Sequence, residues 1–133
     1  MTIITEKDAL IAYAKMLNTG EVEGFISLLA PDFRYASQSV FSEIEGKDAY
    51  RAYIEPKIAT IKKNPTAKVF AEPGETNAWG HEQCVLLAQG SKDDLVATLF
   101  VKVEQGGVIR ADMCLIPAPQ TVRRTGIYPG LEG

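Results

Sequence analysis

The sequence predicts a segregated α+β domain in which a curved antiparallel sheet packs on helices. Three observations carry this. Apolar residues recur at three- and four-residue spacing through the first part of the chain and again after Gly46. From Thr66 onward, long apolar-rich stretches are broken at turns rich in glycine. No repeat, low-complexity tract or internal linker divides the 133 residues, which is the length of one domain.

Each element follows from local chemistry. Thr5 can cap a first helix whose apolar positions are Leu10, Tyr13, Ala14 and Leu17. Asn18-Thr19-Gly20 ends it, with Gly20 suited to the left-handed C-terminal position. A second helix is expected from about Glu21 to Ala30, burying Val22, Phe25, Ile26 and Leu29, with Pro31 as its stop. Asp32 to Ile44 reads as two short strands around Ser37-Gln38-Ser39, because Phe33, Tyr35, Val40, Phe41 and Ile44 favour the pleat. Gly46-Lys47-Asp48 opens a third helix with Tyr50, Tyr53, Ile54, Ile58 and Ile61 on one side. Pro56 lies inside it and is expected to kink or divide it, and Asn64-Pro65 to end it. Strands are then expected over Thr66 to Glu72, ending in a Pro73-Gly74 turn, and over Trp79 to Gln89, Leu95 to Glu104 and Val108 to Ile116. The order is α-α-β-β-α-β-β-β-β across one domain, residues 1–116, followed by a non-regular tail, residues 117–133.

Composition excludes several classes. The net charge of −3 and the absence of a basic stripe argue against a nucleic-acid partner. The longest apolar run, Leu95 to Val101, is far short of the roughly 20 residues of a membrane span. The N-terminus shows no apolar leader, so the expected location is the cytoplasm. Cys84 and Cys114 fit neither a disulfide framework nor a metal motif, and His81 is the single histidine, so no metal and no cofactor are expected.

The segments Tyr13 to Glu21, Phe25 to Phe33, Glu45 to Tyr50 and the turn Glu104-Gln105-Gly106-Gly107-Val108 occur in an order and spacing that resembles the nuclear transport factor two-like superfamily. Within it, the chain is most similar to the SnoaL-like and ketosteroid-isomerase-like branch, from about residue 6 to residue 116. The resemblance implies a cone-shaped fold, the curved sheet and three helices enclosing an apolar cavity that admits a small hydrophobic ligand. It does not imply one activity, since helix ends and core residues carry it.

The resemblance also implies a site. Tyr13 falls on the position of an oxyanion-holding tyrosine, Ser37 on that of a proton-shuttling aspartate, and Leu99 on that of a second acid. A lone serine is no base at neutral pH and a leucine donates nothing, so ketosteroid-type isomerisation is not expected. By the same alignment, Glu82, Cys84 and Leu86 face the cavity from one strand, Leu99, Val101 and Val103 from the next, and Asp112, Cys114 and Ile116 from the last. Asp112 stands out, because an acid in an apolar strand is costly unless paired or protonated. It is either a general acid/base or a partner of Arg110 or Lys102 at the rim. Tyr13 is either a hydrogen-bond donor to the ligand or a core-edge tyrosine. Tyr35 and Tyr53 are further lining candidates, the two cysteines read as apolar wall, and His81 reads as surface.

The opposite face is then expected to carry Val85, Leu87, Val96, Phe100, Ala111 and Met113, too apolar for water, which predicts a homodimer through it. The tail, with Val122, Ile127, Tyr128 and Leu131, covers the partner, closes the cone or is disordered. Two functions remain open: a cofactor-independent isomerase, lyase or hydrolase using Asp112 and Tyr13, and a non-catalytic carrier, sensor or assembly module.

Overall fold

A computed structural model describes residues 4–38, 43–64, 66, 68–105, 107–116 and 118–131. The expected strand residues Val40 and Phe41, the Pro65 stop and the side chain of Trp79 lie outside what is described.

Helix α1 (Glu6–Thr19) is set by local signals at both ends. Thr5 and Asp8 form a reciprocal capping box, and Gly20 closes the helix at φ 80° with its amide donating to the Met16 carbonyl. Its buried side carries Leu10, Tyr13, Ala14 and Leu17 as the spacing predicts. Helix α2 (Glu23–Ile26) is a single turn, shorter than expected, because Leu29 already begins strand β1 (Leu29–Ser37). Pro31 therefore lies within β1 instead of stopping a helix. It occupies the stretch where the register of β1 slips between Leu29 and Arg34, the kind of irregularity that tolerates a residue without an N–H.

After β2 (Ile44–Glu45) comes α3 (Lys47–Lys63), which runs through Pro56 without dividing. Pro56 is on the exposed side, while Tyr50, Ile54 and Ile58 are buried to either side of it and hold the helix by packing. Strand β3 (Val69–Glu75) contains the Pro73-Gly74 pair that was expected to turn. Most of β3's outer side is an edge, covered by the terminal strand only at Gly74 and Glu75, and an edge accommodates proline. A short 3₁₀ turn (Ala78–Gly80) precedes β4 (Gln83–Gln89), then come β5 (Leu95–Glu104) and β6 (Gly107–Cys114). The tail is not wholly irregular: it holds a second 3₁₀ turn (Pro119–Thr121) and β7 (Arg123–Arg124).

These strands form one open, curved sheet in the order β2-β1-β6-β5-β4-β3-β7. Its pairs are antiparallel except β1 with β6, which run parallel, so the sheet is mixed and not purely antiparallel. The helices cover one face. Val85, Leu87, Ala97, Leu99, Val101 and Ala111 face them and share a core with Tyr13, Phe25, Phe33 and Tyr50. On the other face Cys84, Leu86, Phe100 and Cys114 pack with Val122 of the tail. The expected facing is thus right for β5 and inverted for β4 and β6. In β4 both faces are buried: Cys84 to Ala88 are buried without interruption, so alternation there cannot say which side faces the helices.

The tail is held over the outer face by a buried carboxylate. Glu72, 1% exposed, accepts hydrogen bonds from Arg124 Nε (2.8 Å), the Gly126 amide (2.8 Å) and the Tyr128 hydroxyl (3.2 Å). Gly74 makes room beside it, because a Cβ there would stand 2.6 Å from Val122 Cγ1. A second tie is Asn18, whose amide clasps both backbone groups of Ala71 at 2.8 Å and also donates to the Pro129 carbonyl at 2.9 Å. Removing the cation from a buried carboxylate is expensive, so Arg124→Ala is expected to cost about 3 kcal/mol in urea unfolding. The neighbouring Arg123→Ala, at a position 84% exposed, is expected to leave the midpoint unchanged.

Candidate functional site

Between α1, α3 and the inner face of the sheet lies a cavity of about 490 Å³. Tyr13 and Leu17, one turn apart on α1, form one wall, and Ile54, Lys57, Thr60 and Ile61 of α3 form another. The sheet contributes Tyr35, Val69, Leu87, Ala88, Gln89, Val96, Ala97 and Met113. Ala88 and Ala97 are small, and that leaves the space. The exposed members of this lining, Lys57, Thr60, Gln89 and Val96, mark the mouth.

The deep wall is aromatic. Tyr13 meets Phe25 edge-on at 5.2 Å, Tyr50 lies 5.0 Å from Phe33 and 5.4 Å from Tyr35, and Tyr35 lies 5.5 Å from Tyr53. The Tyr35 hydroxyl donates to Met113 Sδ at 3.8 Å. Lys57 Nζ donates to the Tyr53 hydroxyl at 3.0 Å and lies 5.2 Å from the centre of its ring. Burial pushes Tyr13, Tyr35 and Tyr50 above the ordinary tyrosine value, and their neighbouring tyrosines add to the effect. The Tyr50 hydroxyl is fully buried with no hydrogen-bond partner.

Of the residues expected to form the site, Tyr13 and Tyr35 line the cavity and Tyr53 stands beside it. Leu99 is on the inner face within the core, and Ser37 shares a cross-sheet row with Met113 and Leu99. The others are elsewhere. Cys84, Leu86 and Cys114 belong to the outer cluster under Val122. Burial pushes the Cys84 thiol up to about 12 and the Cys114 thiol up to about 11. Glu82 is exposed, in a shallow recess with Thr5, Glu6 and Lys7, and Ile116 lies past the end of β6, 71% exposed. His81 is not simple surface: its ring lies 5.0 Å from Phe100 and its Nδ1 is 3.1 Å from Glu6.

Asp112 is also on the outer face, in the cross-sheet row with Phe100 and Ala36. Arg110 Nε donates to both of its carboxylate oxygens, at 3.1 and 3.0 Å, and Arg110 Nη2 reaches Glu43 at 2.8 Å. These bonds from Asp112 and Glu43 raise Arg110 above its ordinary value, and Arg110 holds Glu43 below its own. The same placement removes the broad apolar patch from which a dimer was expected. One part of the outer face lies under the tail, and the part around β1, β6 and β5 carries Arg34, Arg110, Asp112 and Lys102.

The sequence reading missed Lys57, Thr60, Gln89, Ala97 and Met113 as cavity residues. Lys57 could have been found, since it falls three residues after Ile54 and four before Ile61 on one helix face. Ala97 and Met113 needed the correct facing of the sheet.

An open curved sheet with helices on one face and a cavity between them defines an NTF2-like fold, and solved structures share it. A SnoaL-like protein of unknown function from Burkholderia thailandensis aligns at a TM-score of 0.60 and 17% identity, over 84% of this chain and 97% of that one. An NTF2-like protein of unknown function from Cytophaga hutchinsonii aligns at 0.57 and 17%, over 84% and 90%. A Mycobacterium tuberculosis protein in complex with estradiol-17β-hemisuccinate aligns at 0.58 and 17%, over 81% and 91%. No protein-family model matches the chain, and no curated protein matches it. Among the described residues, no helix is long and apolar enough to cross a membrane.

Two outcomes are expected. Asp112→Asn leaves ligand binding in the cavity unchanged and costs less than about 1 kcal/mol, because its pair with Arg110 is more than a third exposed. A tenfold loss of cavity affinity in that variant would bring Asp112 back into the site. The buried tyrosines, held above their unfolded value near 10, keep their protons in the folded state. Their contribution to stability is therefore complete below about pH 10 and is lost as pH rises further. Tyr50→Phe should flatten that alkaline loss, followed as the urea midpoint against pH, and should raise stability near neutral pH by about 1 kcal/mol by removing an unpartnered hydroxyl.

Proposed function

We propose that the protein binds a small, mainly apolar molecule in the cavity between α1, α3 and the sheet, without transforming it. One observation carries the reading: among the described residues, the cavity is lined by apolar side chains and tyrosines with Lys57, Thr60 and Gln89 at the mouth, and by no carboxylate, imidazole or thiol. A proton-transfer enzyme needs a group that takes up a proton near neutral pH. The buried tyrosines, raised further by burial, are the wrong groups for that but suit hydrogen-bond donation to a ligand carbonyl or hydroxyl. Tyr13 thus keeps the donor role expected of it, and the pairing of Asp112 with Arg110 on the far face favours binding over chemistry.

A cavity of this size falls within the range of small-molecule sites. The Mycobacterium tuberculosis neighbour with its steroid ester supports a bulky apolar ligand in this fold. For a homodimer through the outer face, the remaining support is the exposed pair Leu115 and Ile116.

Nile red, a neutral dye that brightens in apolar surroundings, tests the proposal. Saturable brightening is expected at one dye per chain. It should be lost in Ala97→Phe, which fills the floor, and weakened in Thr60→Trp, which crowds the exposed mouth without touching the core. A dye that binds both folded variants as it binds the wild type would overturn the assignment of this cavity.

A further inference from the structure

We infer that the ligand is an amphipathic organic anion, its apolar body in the cavity and its anionic end at Lys57. The inference rests on the binding reading above and adds the chemical class of the ligand.

Among the described residues lining the cavity, Lys57 is the one that is charged. It is fixed in place: its ammonium donates to the Tyr53 hydroxyl and lies over the Tyr53 ring, and Tyr53 in turn packs on Tyr35 of the cavity wall. A bond to one hydroxyl leaves an ammonium with further N–H groups to offer. A second recess of about 280 Å³ adjoins the cavity, sharing Leu17, Ile61 and Val69 with it. It adds Lys62 and Lys68, and again no carboxylate is among its described lining residues. Lys62 lies across Gly20, where an added Cβ would stand 2.1 Å from Lys62 Cε, so the bare glycine seats this side chain.

The chain as a whole carries more acid than base, with a net charge of −3. Its ion pairs among the described residues use Arg34, Arg51, His81, Lys102, Arg110, Arg123 and Arg124, and none uses Lys57, Lys62 or Lys68. Among the described residues, three lysines without a carboxylate partner therefore line the cavity (Lys57) and the recess that adjoins it (Lys62 and Lys68, the latter's ammonium 5.0 Å from the centre of the Phe70 ring) in a molecule of net negative charge. Like charges collected at a low-dielectric cleft draw in an ion of the opposite sign. An anion seated there makes charge-assisted hydrogen bonds that a neutral ligand cannot.

Decanoate and decan-1-ol, which share an apolar chain and differ in the charge of the head, separate this inference from the binding reading beneath it. Each is titrated as a competitor of Nile red. In about 20 mM salt, decanoate is expected to bind about tenfold more tightly than decan-1-ol, the size of one charge-assisted hydrogen bond. In about 0.5 M salt the gap should narrow to about twofold, because the lysines are exposed and screened. Lys57→Met should remove the preference by weakening decanoate far more than decan-1-ol, with Lys62→Met and Lys68→Met each narrowing the gap. Equal affinity of the two competitors in the wild type would overturn the inference and leave the binding reading standing. A preference for decanoate that survives in the triple variant Lys57→Met, Lys62→Met, Lys68→Met would also overturn it. If Nile red and both competitors fail to bind, the binding reading falls, and the inference with it.

Discussion

Burying the Glu72 carboxylate is the commitment on which the rest of the molecule depends. A charge taken out of water must be met by donors, and no neighbour on β3 or β4 supplies them. They come from Arg124, Gly126 and Tyr128, so the end of the chain has to cross the outer face of the sheet. Val122 then seals Cys84, Leu86 and Phe100, so that this part of the outer face is dry while the part around β1 and β6 stays charged. Arg124 is held in turn by Asp93 and by the Lys92 carbonyl, which ties the β4–β5 turn to the same knot.

This arrangement explains what the sequence disclosed and what it concealed. Signals that act within a few residues could be read: Thr5 as a cap, Gly20 as a stop, the buried stripe of α1, and both ends of β5. Signals that depend on another part of the chain could not. Pro31 and Pro73 look like breaks, yet both lie in strands, one where the register slips and the other along an edge. The facing of β4 was hidden because the tail buries the side that would otherwise have been polar. That inversion put Asp112 in the cavity and left Met113 outside, whereas the structure does the reverse. Tyr13 and Tyr35 do line the cavity, Tyr13 from the buried side of α1 and Tyr35 from β1.

The cavity itself reflects a balance between packing and space. Large rings of Phe25, Phe33 and Tyr50 fill the closed end, while alanines at 88 and 97 keep the other end open. The rings at the closed end pack in tilted and edge-on pairs, the arrangements aromatic side chains favour. That end also contains the unpartnered Tyr50 hydroxyl, a polar atom retained at some cost in stability. The open end carries the longer, exposed side chains. A ligand entering there would meet an aromatic back wall and an adjustable rim.

Asn18 joins parts of the chain that are far apart in order of synthesis. Its amide binds Ala71, 53 positions later, and Pro129, 111 positions later. The last turn of α1 is therefore fully tied only when the segment around residue 129 is in place. Leu17, the residue next to Asn18, is part of the cavity wall. The α1 wall of the cavity is thus braced by a contact from a residue more than a hundred positions further along the chain.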